Sequence, residues 1–154
     1  MKAKMLMLAA LALTPIAVYA HDDAHQGMMP GTMHGKSGDP KKVSRAIQVI
    51  MSDDMKFTPA NINVKRGETI KFVVKNAGQI KHEMVIGPMK ELKEHAGLMR
   101  KTPGMEHDEP NQVALAPGKT GELIWQFAKA GTFDFACLQP GHFEAGMTGT
   151  VSAK

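Results

Sequence analysis

Phe133-Asp134-Phe135-Ala136-Cys137-Leu138-Gln139-Pro140-Gly141-His142-Phe143-Glu144-Ala145-Gly146-Met147 joins a strand pattern to a loop pattern. In the first half Phe133, Phe135 and Cys137 fall on one face at period two, and the aromatic neighbours mark that face as the core side. Cys137 therefore stands at the inner end of a strand. In the second half Pro140-Gly141 turns the chain so that His142 can return to that end, and Gly146 lets Met147 follow before a last strand begins. A thiol, an imidazole and a thioether are thus brought to one place.

The period of two recurs through the chain. Ile47, Val49 and Met51 alternate, as do Ile62 and Val64, then Ile70, Phe72 and Val74, with Gln48, Asn63, Lys71 and Lys75 between them. Further strands are expected at His82-Met84-Ile86, Val113–Leu115, Leu123-Trp125-Phe127 and Gly149–Ala153. Turn signals separate them at Pro59–Asn61, Arg66-Gly67, Asn76–Gly78, Pro117-Gly118 and Ala130-Gly131. Seven or eight short strands without a long amphipathic helix predict an all-β protein, an antiparallel sandwich of two sheets. One segment breaks the rhythm. Met89–Glu109 carries Leu92, His95, Leu98 and Met99 at helical spacing before Pro103-Gly104, and is expected to be a long, partly helical insertion with about two turns of helix.

The chemistry follows from the ligand types. Two imidazoles, a thiolate and a weak axial thioether build a trigonal copper site, and Cys137, His142 and Met147 supply all but one imidazole. The second should come from a distant strand, because a site anchored on two elements is more rigid. His82 fits, opening an alternating strand just after the Asn76–Gln79 turn. With one cysteine in the chain, a disulfide within it is excluded, as is a zinc site of two or more thiolates. Taken singly, Cys137 reads as a small buried hydrophobe and Met147 as gap filler. A cysteine nucleophile with His142 as base is the competing catalytic reading, but no oxyanion-hole signature follows it. Cys137 is flanked by Ala136 and Leu138 and the chain lacks His-x-His pairs, so nothing couples this thiol to further copper ions. The expectation is one mononuclear site and no enzyme. Met99, Met105, His95 and His107 read as packing and surface residues, with a second copper site as the alternative.

Residues 1–20 read as a signal peptide: a basic start at Lys2 and Lys4, an apolar run from Met5 to Val18, and small residues at Val18-Tyr19-Ala20 for cleavage after Ala20. The run is shorter than a bilayer-crossing helix, so no membrane span is expected after cleavage. In an oxidising compartment a lone thiol needs protection, and copper ligation would give it. Loss of Lys2 and Lys4 leaves 17 Lys+Arg against 15 Asp+Glu, a balance that excludes a strong case for nucleic acid. Residues 21–42 read as a flexible tail holding His21, His25, Met28, Met29, Met33 and His34, either a solvated linker or a weak additional copper-collecting segment. Residues 43–154 are expected to form one domain.

With those residues in view, the span from about Arg45 to Ala153 resembles the cupredoxins, the family of plastocyanin, azurin, rusticyanin and auracyanin. Phe57-Thr58-Pro59, the Val64-Lys65-Arg66-Gly67 turn, the His82 strand and the C-x4-H-x4-M loop carry the likeness, and the loop spacing is similar to that of rusticyanin and auracyanin. The resemblance implies a Greek-key β-sandwich and a type 1 copper held by His82, Cys137, His142 and Met147, with His142 as electron port inside an apolar patch of Pro140, Gly141 and Phe143. Plastocyanin and azurin commonly carry asparagine after the first histidine, tying the two ligand loops together; Glu83 stands there instead. The tail and the insertion resemble, more narrowly, periplasmic cupredoxins associated with bacterial copper tolerance. Two functions are therefore expected: a periplasmic, monomeric copper-handling protein cycling Cu(I) and Cu(II), or a soluble one-electron carrier serving a redox partner protein.

Overall fold

The computed structural model describes residues 35–102, 104 and 109–154. Its elements in chain order are β1 (Lys36–Ser37), a 3-10 turn (Pro40–Lys42), β2 (Arg45–Ser52), β3 (Lys56–Thr58), β4 (Asn61–Val64), β5 (Thr69–Asn76), β6 (His82–Gly87), α1 (Met89–Lys101), β7 (Gln112–Leu115), β8 (Thr120–Gln126), β9 (Gly131–Ala136) and β10 (Thr148–Ala153). Two five-stranded sheets have the orders β1-β8-β5-β2-β3 and β4-β10-β9-β6-β7. The all-β sandwich with a helical insertion stands as expected.

Two details differ. The sandwich is not purely antiparallel: β2 pairs β5 in parallel, and β4 pairs β10 in parallel. The chain leaves the first sheet after β3, lays β4 in the second, and returns as β5, so β5 comes back in the direction of β2. A parallel pair needs such a crossover and cannot be closed by a tight hairpin. The strands also exceed seven or eight. The additional β1 and β3 are the edges of the first sheet, two and three residues long, too short to show a period.

The core lies between the sheets. Val49, Met51, Ile70, Phe72 and Val74 from the first sheet meet Met84, Ile86, Phe133, Phe135 and Val151 from the second. Phe127 sets its edge against Phe72 and Phe133 at centroid distances of 6.2 and 5.1 Å, and Phe57 meets Phe135 at 5.0 Å. Edge-to-face pairs of this kind add about 1 kcal/mol each to the burial of their rings.

The insertion is more helical than expected, since α1 runs for 13 residues. Its buried stripe is Leu92, Ala96 and Met99, not the Leu92-His95-Leu98-Met99 set; Leu98 is 60% exposed. That stripe packs with Val85, Ala136 and Leu138 on the outer face of the second sheet, joined by Phe143. Met99 is thus a packing residue. At the helix start no side chain of the preceding Pro88 caps the turn, and the Met89 N–H donates instead to Asp134 Oδ2 at 3.2 Å. Met105 and His107 lie outside the described residues.

The tail lies mostly outside them too, but residues 35–42 do not. Lys36 and Ser37 pair with Gln126 and Trp125 of β8, and the Gly38 N–H donates to Ile124 O. The last residues assigned to the tail therefore belong to the sandwich edge.

Candidate metal centre

The second sheet positions both halves of the site. β6 pairs β9 antiparallel with Val85 opposite Ala136 and Ile86 opposite Phe135. Carried two steps past these rungs, the register sets Glu83 against Leu138 and leaves His82 and Cys137 on the core side. There the ladder gives way to side-chain bonds. Glu83 Oε1 accepts the Leu138 N–H at 3.1 Å and its Oε2 accepts from Gln139 Nε2 at 3.0 Å, while the Glu83 N–H donates to Cys137 Sγ at 3.4 Å. Glu83 is buried, 5% exposed, on the face of β6 from which Val85 packs against α1. The acid thus ties the His82 strand to the Cys137 loop, the part the resemblance gives to asparagine.

The loop closes on itself. Backbone bonds run from the His142 N–H to Gln139 O, from Ala145 to Gly141 O, from Gly146 to Phe143 O, and from Met147 to His142 O. The Cys137 N–H then donates to Met147 O at 3.1 Å, bringing the two ends of the loop side by side. Gly141 has φ 86°, a conformation that lets the chain reverse without a side-chain clash.

Three of the four expected residues converge. Cys137 Sγ lies 3.2 Å from His142 Nδ1 and 3.9 Å from His82 Nδ1, and one ligand atom from each of the three lies within 4.8 Å of the others. The two imidazoles are 4.8 Å apart between centroids. His82, Cys137 and Met147 are fully buried, whereas His142 is partly exposed. The surface around His142 is narrower than expected: Pro140 and Gly141 are exposed, but Phe143 packs against the α1 cluster.

Burial shapes the protonation of these groups. It pushes the Cys137 thiol up to about 12, with the Glu83 and Gln139 N–H groups pulling the other way. A thiol so held is a poor nucleophile. His142 is held below its ordinary value, first by burial and then by the neighbouring His82, so it presents a neutral ring nitrogen. Two imidazoles, a thiol that ionises on binding a metal, and a buried thioether form the donor set that a copper ion of either charge accepts.

Comparison with known proteins agrees with that chemistry. Residues 45–154 match the family described as copper binding proteins, plastocyanin/azurin family. The chain belongs to this family. Among relatives of the plastocyanin/azurin chain, a protein named copper-resistant cuproprotein CopI from Rubrivivax gelatinosus is 49% identical over 153 residues, 96% of this chain and 93% of its own. Another of that name from Vibrio cholerae is 35% identical over 164 residues, covering 96% of this chain and 97% of its own. Auracyanin from Roseiflexus castenholzii superimposes with a TM-score of 0.61 at 22% identity, over 73% of this chain and 98% of that one, a likeness of fold alone.

Two residues of this cupredoxin site were not singled out from sequence as parts of it. Asp53, in the turn between β2 and β3, accepts from His82 Nε2 at 2.9 Å. Asn76, fully buried, donates through Nδ2 to Ile80 O and Leu115 O at 2.7 and 2.9 Å and accepts the Gly78 N–H, fixing the loop that leads into His82. Asn76 carried a turn signal in the sequence. Asp53 carried none, being 29 positions from its partner.

Proposed function

We propose that this protein is an exported, periplasmic copper-handling protein that holds one type 1 copper through His82, Cys137 and His142, with Met147 as the weak axial ligand, and serves copper tolerance. The observation that carries the reading is the convergence of a buried thiol with two imidazole nitrogens, and the relatives named copper-resistant support the role. Bound copper would supply one-electron exchange between Cu(I) and Cu(II). The chain's own part is to keep the ligand spacing unchanged during that exchange: His82, Cys137 and Met147 are enclosed, the loop is bonded to itself, and Glu83 fixes strand to loop. The reading is of a copper-binding protein and not an enzyme, supported by the family match and the relatives' names. Among the described residues no helix is long and apolar enough to cross a membrane. Monomer is the proposed state.

A second reading, a soluble carrier for a redox partner, is favoured by one feature: His142 alone of the four reaches the surface. Deleting the gene and comparing growth on copper with respiration separates the two. Copper sensitivity with intact respiration supports handling; impaired respiration with unchanged tolerance supports the carrier. Complementation with a chain lacking residues 21–34, which leaves the β1 edge intact, tests the tail: handling by the tail predicts fewer copper equivalents bound and an unchanged visible spectrum.

The ligands are not equal. Met147→Leu should keep copper and raise the reduction potential, because the axial thioether contact is long and weak. His82→Ala should lose affinity or open a coordination position that outside ligands can fill. Competition with a chelator and a potential measurement check both, and equal loss of copper in the two variants would contradict the hierarchy.

A further inference from the structure

His82 is enclosed, and only one of its ring nitrogens can face the thiol. Nδ1 lies 3.9 Å from Cys137 Sγ, and Nε2, on the far side of the ring, lies 2.9 Å from Asp53 Oδ1. A carboxylate only accepts, so the proton between them belongs to Nε2 and the lone pair to Nδ1. The carboxylate is itself aimed: Oδ2 accepts the Gln79 N–H at 2.7 Å. Each oxygen thus faces one N–H donor, on a side chain that is 39% exposed to solvent.

The turn that receives Asp53 has a gap shaped for it. Gly78 is buried, and a Cβ there would stand 1.8 Å from Asp53 Oδ1 and 2.6 Å from its Cγ. No side chain fits without displacing the carboxylate. Asn76 holds this turn in place by accepting the Gly78 N–H at 2.9 Å. The neighbouring Asp54 has different work, bonding Ser52 Oγ and pairing with Lys56 Nζ at 3.0 Å.

We infer that Asp53 is a positioning residue for the copper ligand His82, accepting the Nε2–H hydrogen bond through the gap left by Gly78 so that Nδ1 is held toward the metal. The inference rests on the copper reading above. A carboxylate on the outer nitrogen of a ligating imidazole fixes the ring's tautomer and orientation and makes it a stronger donor, and removing such partners costs about tenfold to a hundredfold in metal affinity. Its negative charge also favours the more positive ion, so the site's potential is held lower than the four ligands alone would set it. Because the Asp53 side chain is 39% exposed, this also gives the buried imidazole a link to solvent on the side away from Cys137.

The test uses the whole protein loaded with Cu(II), as four variants beside the parent: Asp53→Ala, Asp53→Asn, Gly78→Ala and Asp54→Asn. Chelator competition should show Asp53→Ala holding Cu(II) about tenfold to a hundredfold more weakly, with a raised reduction potential. Asp53→Asn keeps an acceptor without the charge, and should raise the potential with less loss of affinity. Gly78→Ala should reproduce Asp53→Ala although the acid is still present, and Asp54→Asn should match the parent. Should Asp53→Ala fail to fold, the potential of the near-isosteric Asp53→Asn decides. A parent-like potential in Asp53→Asn overturns the inference. The copper assignment fails separately: the parent would then lack a visible thiolate band, or Cys137→Ser would keep it.

Discussion

Cys137→Ser protein mixed with Cu(II) should be colourless where the parent shows an intense visible band. The band expected of the parent is charge transfer from thiolate sulfur to copper, and a hydroxyl oxygen has no orbital of comparable energy to supply it. The substitution is also mild for the apo fold. Serine is close to cysteine in size, and the groups around Sγ, the Glu83 N–H at 3.4 Å and His142 Nδ1 at 3.2 Å, are partners a hydroxyl can use. Loss of colour with an unchanged apo melting curve would therefore report the ligand and not the scaffold. A band that survives the substitution sinks the assignment of Cys137.

The same thiol sets a pH dependence. Burial pushes Cys137 up to about 12, so at every pH below that the apo protein carries the proton, while a bound thiolate cannot. Loading copper must then release about one proton, and affinity should fall about tenfold for each unit by which the pH is lowered. His142, held below its ordinary value, adds to this slope only in more acid solution, where its ring begins to protonate. Calorimetric titration in buffers of different ionisation enthalpy counts the protons directly. A count of zero near neutral pH would mean that the thiol does not ligate.

The features that could be read from the sequence were those written in local spacing. Period-two runs placed β2, β5, β8 and β9, and the intervals between Cys137, His142 and Met147 gathered three of the four proposed ligands in one loop. His82 needed only the further step of asking which strand opens with a histidine. The features that could not be read depend on contacts between distant parts. Glu83 sits at a position that alternation gives to solvent, yet it is buried on the face where Val85 packs against α1, and nothing in the β6 residues announces that cover. Likewise Asp53 belongs to the site only because the end of β2 lies beside the start of β6. Strand direction left no trace either, since a parallel and an antiparallel partner demand the same alternation, and the two parallel pairs emerge only from the crossover through β4.

Glu83→Ala should be among the most damaging changes in the domain that leave all four proposed ligands in place. The Leu138 N–H is enclosed beside Cys137 and has Glu83 Oε1 as its acceptor. Left bare, a buried donor costs about 1 to 3 kcal/mol, to which loss of the Gln139 bond and the space left by the side chain add. A loss of about 3 kcal/mol is expected, a fall in Tm of roughly 10 °C for a domain of this size. Glu83→Gln keeps an acceptor for the Leu138 N–H, and the Gln139 amide can turn to meet the new amide group, so most of the stability should remain. Thermal melts of the two apo variants separate bond from charge: equal losses would put the weight on charge, and an alanine variant melting with the parent would remove the tie altogether. Copper should feel the same difference. Glu83 adjoins His82 and Leu138 adjoins Cys137, so a single side chain sets the spacing of two ligands from one residue away on each side. With that bond gone, the imidazole and the thiol can drift apart in the apo protein. The alanine variant should then bind copper more weakly and with a shifted band, while the glutamine variant stays near the parent in both.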